Sequence, residues 1–587
     1  MSVSDGETRR RPDTRWEGAI ATAGTRRARH RTNMISPEDV DRVLLQVGKF
    51  GRFQFINCLV VNMPIMFSAL YSLAYVYTAQ DLVYRCLVPE CESSSAASAA
   101  FSPPWLPTAV PFKAGVPEPC DRFQPLLNAT EAVAEAGSCS ARFDTVPQRC
   151  GQWVYEPGQR STLVNEWDLT CEDNKWKLSL VGTIGSVGAF ISMPVSGFVS
   201  DRFGRKTLFV WAWVLASLSG IIQSFSSNFI MFLVFEFCNL FFEAGVYAAG
   251  FLLAMEFVGP KQRVLPTTVL SIFYSSGNAV LGGLAYAVRD WRWLLRAIYG
   301  GGLLFALPLW FTPESVRWLA AKGRLAEADA IVARVAAINK VAVGETLSSV
   351  ADRQAGQASK AVGKQSGESQ EASTLHNLVA VFKSASLMIR FINCCYCWMA
   401  NTFVYYGLSL NAATLSGDQY VNFILSGLVE IPANMLALWL QEAAGRRGSL
   451  AGTLIVAGAS CLAFLVIPTD VQWAQILVYM LGKFAITISF CVIYVITAEM
   501  FPTNARNSMM SYGSTFGRVG TILAPQTPLL ASIDESLPLT LFGVVSLSSG
   551  LLALLFPETR GRPLPETTEE AEKMTVVDCK TCLPCTT

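Results

Sequence analysis

Gly197-Phe-Val-Ser-Asp201-Arg202-Phe-Gly204-Arg205-Lys206 is a short basic turn set between two long apolar runs. Apolar runs of about twenty residues have the length needed to cross a bilayer, so the charges between them mark a tight loop at a membrane surface. Gly197 lets two helices approach closely, and Gly204 frees the turn from a Cβ. Asp201 can accept charge-assisted hydrogen bonds from arginines or cap a neighbouring helix.

The same chemistry returns after a nearly constant interval. Glu442-Ala-Ala-Gly445-Arg446-Arg447 begins 241 residues after Asp201. Glu256 precedes Arg263 by seven positions, and Glu499 precedes Arg506 by the same seven. Pro313-Glu314-Ser315 is echoed by Pro557-Glu558-Thr559. Three pairs in one register imply two homologous halves in parallel order, the architecture of the major facilitator superfamily.

Composition agrees with a membrane protein. The chain has 587 residues, of which 51% are hydrophobic and 16% charged, and its mean hydropathy is +0.36. A net charge of +1 gives no reason to expect a nucleic-acid partner. His30 and His376 are the only histidines and both fall in polar segments, which excludes a histidine-based triad or a multi-histidine metal site in the membrane. There is no GxxxxGK[ST] phosphate loop and no catalytic constellation, so neither an enzyme nor a cofactor is expected.

In chain order, residues 1–53 read as a polar, Arg-rich cytosolic tail with no cleavable signal peptide. Span 1 follows at 54–78. Residues 79–176 form a long loop holding Cys86, Cys91, Cys120, Cys139, Cys150 and Cys171, an even set with fifteen possible pairings, and the sequon Asn128-Ala-Thr130. Disulfides and glycosylation both mark the extracellular side. Spans 2 to 6 occupy 177–312, a polar cytosolic linker 313–384, and spans 7 to 12 occupy 385–556. The tail 557–587 is polar. Its Cys579, Cys582 and Cys585, with no histidine near, suit palmitoylation better than metal. Twelve spans put both termini in the cytosol, and the basic loops at Arg205, Lys206, Arg446 and Arg447 fall on that side.

Several motifs resemble solute carrier family 22, the organic cation, organic anion and carnitine transporters. They are Pro313-Glu-Ser-Val-Arg317-Trp318-Leu319, Ala498-Glu499-Met-Phe-Pro502-Thr-Asn-Ala-Arg506-Asn507 and Pro557-Glu558-Thr559-Arg-Gly-Arg-Pro563-Leu-Pro565-Glu566-Thr567. The Cys-bearing loop and the long central linker are similar too, and the resemblance covers about residues 40–570. One departure is Glu442, where the basic turn usually carries Asp, with Ala443 where an Arg often stands. The resemblance implies an all-α, twelve-helix secondary transporter of the plasma membrane working by alternating access. It also implies a cytosolic lock of Asp201, Arg205, Glu256, Arg263, Glu314 and Arg317 from one half with Glu442, Arg446, Glu499, Arg506 and Glu558 from the other, joined by ion pairs between halves.

Ionisable residues inside a membrane are costly and point to function. Glu236, Glu243, Glu430, Lys483 and Arg518 qualify. Arg518 stands where, by the resemblance, cation carriers have an acid and anion or carnitine carriers an arginine. An arginine can hold a carboxylate bidentately. Glu243 and Glu430 could balance an amine, and Tyr396, Trp398, Phe403, Tyr405 and Tyr406 offer rings for an ammonium. Together these predict a small zwitterion as substrate, such as carnitine or a β-amino acid, ahead of an organic cation and then an organic anion. A coupling ion, Na+ or H+, and a homo-oligomer are left open. Span 7 reads Asn393-Cys-Cys-Tyr-Cys-Trp-Met-Ala-Asn401, without the glutamine pairs expected of a sugar porter. A non-transporting receptor or scaffold is the reading from another class, and it gives no reason for buried charges.

Overall fold

In the computed structural model, residues 37–47, 51–92, 100–113, 115–126, 139, 142–257, 264–360, 381–468, 470–503 and 505–574 are described. The Asn128 sequon, Arg263 and the three C-terminal cysteines lie outside these residues.

The chain is built from long helices. They are α1 (Pro37–Gln46), α2 (Arg52–Leu73), α3 (Glu172–Phe203), α4 (Arg205–Gln223), α5 (Phe229–Glu256), α6 (Val264–Ala287), α7 (Trp291–Leu304) and α8 (Leu325–Asn339) in the first part. In the second part come α9 (Ala385–Asn411), α10 (Gln419–Ala443), α11 (Arg446–Val466), α12 (Gln472–Met500), α13 (Arg506–Leu523) and α14 (Leu537–Ala553). Among the described residues, nine helices are long and apolar enough to cross a membrane, α2 and α7 counted with their short continuations. The helices α9, α13 and α14 fall outside the nine: α9 and α13 are diluted by polar residues such as Asn393, Asn401, Ser511 and Arg518, and α14 has only 17 residues.

The repeated turn has one construction in both halves. Gly204 has φ +108° and opens α4, and Gly445 has φ +79° and opens α11. A side chain is strained at these angles, and a Cβ would also collide with the carboxylate of Glu314 or Glu558. Those carboxylates cap the helices. Glu314 accepts from the backbone N–H of Arg205 and Lys206 at 3.0 and 3.1 Å, and Glu558 from Arg446 and Arg447 at 2.9 and 3.2 Å. An anion at a helix N-terminus satisfies orphan donors and complements the dipole.

Among the described residues, the ion pairs recorded for Arg205, Arg317 and Arg446 lie within their own half, where pairs between halves were expected. Arg205 pairs with Asp201 at 2.9 Å and Glu256 at 3.6 Å; Arg446 pairs with Glu442 at 3.0 Å and Glu499 at 3.2 Å. The reason is local: Asp201 and Glu442 sit one turn before their arginines, and each arginine also meets the end of an adjacent helix of its own half. Arg317 pairs with Asp41 of α1 at 2.6 Å, so part of the segment read as a tail is a docked helix. Its Gln46 side chain accepts from the backbone N–H of Gly344 and Glu345 at 3.1 Å, and Asn339 of α8 donates to Val47 and Gln54.

At the opposite end, residues 79–171 form three short antiparallel two-stranded sheets. Three disulfides staple them: Cys86–Cys150, Cys91–Cys139 and Cys120–Cys171. Arg85 is fully buried against Glu92 at 2.5 Å beside this framework.

Candidate functional site

A cavity of about 120 Å³ opens between the halves. Its wall takes Ser72, Glu243, Tyr247, Tyr274 and Ser275 from the first half, and Trp398, Tyr405, Tyr406, Glu430, Asn434, Phe490, Cys491, Tyr494 and Arg518 from the second. Helical spacing selects these faces. On α9, Trp398, Thr402, Tyr405 and Tyr406 follow an i, i+4, i+7, i+8 stripe; on α12, Thr487, Phe490, Cys491 and Tyr494 follow an i, i+3, i+4, i+7 stripe.

Tyr396 and Phe403 were expected at the site, and the structure corrects both. They are seven residues apart on the other face of α9 and pack on α14: the Tyr396 hydroxyl bonds Ser548 at 2.7 Å, and the Phe403 ring meets Phe542 at 5.2 Å. Lys483 is corrected as well. It is fully buried behind Tyr405, with Nζ 2.9 Å from Glu430, 2.6 Å from the Ser409 hydroxyl and 3.5 Å from the centre of the Tyr405 ring. Glu430 therefore reaches the cavity already engaged, since it also accepts from the hydroxyls of Ser275 at 2.8 Å and Tyr405 at 2.9 Å. A carboxylate so satisfied has little charge left for an amine.

Among the described residues, two charges on the wall make no ion pair within 4 Å, and they attract each other only at longer range across the cavity. The half-buried guanidinium of Arg518 makes no ion pair and no side-chain hydrogen bond among the described residues. Glu243 is buried and accepts from the Ser68 hydroxyl, again with no cation within ion-pair distance. The third buried acid, Glu236, lies two turns away on the same helix, off the cavity, and accepts from Gln223 at 2.6 Å.

The aromatic wall is larger than the sequence reading held. Tyr247, Tyr274, Phe490 and Tyr494 join Trp398, whose ring meets Tyr494 edge-on at 4.5 Å. Tyr247 stands one turn after Glu243, and Phe490 and Tyr494 stand two and three turns after Lys483, so helical spacing from the flagged charges was a usable signal. Rings and hydroxyls of this kind, with a guanidinium and a carboxylate that form no ion pair within 4 Å among the described residues, can enclose a small amphipathic ion and fix both its poles.

Residues 131–571 match the sugar (and other) transporter family. The chain is 34% identical over 537 residues to an organic cation transporter protein of Drosophila melanogaster, covering 91% of this chain and 94% of that one. It is 32% identical to the human organic cation/carnitine transporter 2 (91% and 94% covered) and 31% identical to the human organic anion transporter 3 (90% and 93%). Its fold is similar to the inward-open conformation of the xylose transporter XylE from E. coli, with TM-score 0.57 at 14% identity over 89% of this chain and 100% of that one.

Proposed function

Because the chain belongs to solute carrier family 22 of the major facilitator superfamily, we propose that it carries small organic zwitterions across the plasma membrane by alternating access. The observation that carries this is Arg518: a guanidinium on the wall of the central cavity, among rings, with no ion pair within 4 Å among the described residues. A half-buried cation whose nearest acid lies beyond ion-pair distance is incompletely compensated, and a substrate carboxylate supplies a bidentate hydrogen-bonded pair. Glu243 on the facing half supplies the opposite pole for an amine or quaternary ammonium, with Tyr247, Trp398 and Tyr406 close enough on the wall to share it. Binding groups from both halves suit a site that is exposed to one side of the membrane and then the other as the halves rock.

A second reading rests on the same wall. Seven aromatic side chains and Glu243 would also hold an organic cation that has no carboxylate. Uptake by cells expressing the full chain separates the two, with carnitine or β-alanine compared against tetraethylammonium. The zwitterion reading expects carnitine or β-alanine uptake that Arg518→Ala lowers by at least tenfold at unchanged surface expression. Tetraethylammonium uptake that is indifferent to Arg518→Ala, without zwitterion uptake, would replace it with the cation reading.

A further inference from the structure

At the disulfide-bearing end the two halves meet through rings. Tyr77, just past α2, stacks on Tyr420 of α10 with centroids 5.7 Å apart and planes at 12°. Phe423 meets Tyr77 at 5.3 Å, and Tyr286 of α6 meets Tyr420 at 5.6 Å. Gln80 donates to Gln419 across the same seam.

Against this seam lies a cation that belongs to neither helical bundle. Arg160 comes from the disulfide-stapled segment, yet it is only 4% exposed. Its guanidinium carbon is 5.0 Å from the centre of the Tyr77 ring and lies beside the Tyr420 hydroxyl. Nη2 reaches the Val288 carbonyl at 3.5 Å, while Nε and Nη1 are buried with no hydrogen-bond partner among the described residues. Asp290, the nearby acid, caps α7 instead by accepting from Trp293 at 3.0 Å. Burying a guanidinium with two idle nitrogens is unfavourable. What offsets that burial is the Tyr77 ring together with the Tyr420 hydroxyl, and these come from different halves.

The anchorage of Arg160 is one-sided. Ser161 donates to the Arg289 carbonyl at 2.9 Å, Arg289 donates to Gly158 at 3.2 Å, and Arg292 pairs with Glu166 at 2.8 Å. Arg160 thus moves with the first half, and Tyr420 with the second. When the halves part at this end, Tyr420 withdraws from the guanidinium.

We propose that Arg160 is a positioning residue of the transport cycle, a latch on the outer gate that holds Tyr77 and Tyr420 together and favours the outward-closed state. The disulfide-linked segment would then take part in alternating access instead of only covering it. The inference rests on reading this chain as a transporter whose disulfide-bearing end is extracellular.

Cys491 supplies the test, since its thiol lines the central cavity. A membrane-impermeant methanethiosulfonate, applied outside intact cells expressing the full chain, reaches that thiol only through an open outer gate; Cys491→Ser gives the background. Arg160→Ala should raise the external labelling rate about tenfold, the scale of a hydrogen bond from a charged group to Tyr420. Arg160→Lys, which keeps the cation, should stay within about twofold of the parent. Tyr77→Leu keeps an apolar side chain but removes the ring, and should behave like Arg160→Ala. Unchanged labelling in Arg160→Ala at the cell surface overturns the latch; so does unchanged labelling in Tyr77→Leu if Arg160→Ala is retained inside the cell. Equal acceleration by Arg160→Lys and Arg160→Ala also overturns it, because a merely steric filler would give that result. Labelling needs no substrate, so failure here leaves the zwitterion reading standing, and loss of that reading leaves the latch testable.

Discussion

Removing either member of the Lys483–Glu430 pair should damage the protein more than removing both. Both side chains are almost fully buried, 2.9 Å apart, in the wall of the second half. Glu430→Gln would leave the ammonium with one hydroxyl, the Tyr405 carbonyl at 3.3 Å and the Tyr405 ring. Lys483→Met would leave the carboxylate with the Ser275 and Tyr405 hydroxyls. Breaking a buried pair on one side typically costs about 3–5 kcal/mol, because the remaining charge is uncompensated. Lys483→Met/Glu430→Gln restores neutrality and should recover most of that, ending within about 2 kcal/mol of the parent and giving a coupling energy of at least about 4 kcal/mol. The assay is thermal unfolding of detergent-purified protein, with cell-surface abundance as a second readout. Additive single effects, or a double variant less stable than both singles, would refute the view that the pair acts as one neutral unit.

The remaining predictions concern other parts of the same frame. Glu243→Gln should weaken uptake of an amine-bearing substrate by about tenfold or more, the scale of one charge-assisted contact, while Glu236→Gln, off the cavity, should alter apparent affinity less than threefold; saturation kinetics check both. Glu314→Ala removes the cap of α4 and should cost about 1–2 kcal/mol, and Glu558→Ala should match it at α11, because the two ends are built alike; thermal unfolding of each variant measures this. Gly220→Ala would drive a methyl into the Tyr299 ring and should cost about 1–3 kcal/mol, read as a lower melting temperature. Cys120→Ala/Cys171→Ala opens a link spanning 51 residues and should lower stability by about 4 kcal/mol on the chain-entropy argument, seen as reduced surface abundance.

Much of the frame was legible because it is encoded locally. The superfamily fold follows from apolar runs and from a charge signature that recurs near a constant interval, and both survive without any long-range contact. The charges in the membrane were legible too: an ionised group is so costly in hydrocarbon that Glu243, Glu430, Lys483 and Arg518 stand out from their surroundings. Sorting the rings of α9 was harder, because each of five aromatics could face a ligand or a neighbour. Tyr396 and Phe403 turned out to face α14, and Tyr494 and Tyr274 took part on helices where no ring had been considered.

By itself the sequence determined which residues can carry charge, where helices run and that two halves repeat, since these depend on composition and on spacing along one chain. Only the tertiary structure decided which charges remain free. Glu430 is neutralised by a lysine 53 positions away, whereas Arg518 makes no ion pair within 4 Å among the described residues. Likewise the arginines of the repeated turns found acids in their own halves, the six cysteines settled on one of fifteen pairings, and Arg160 came to rest between the Tyr77 ring of one half and the Tyr420 hydroxyl of the other. The physical reason is shared: pairing energies depend on distance and desolvation in three dimensions, and neither can be read from the order of residues.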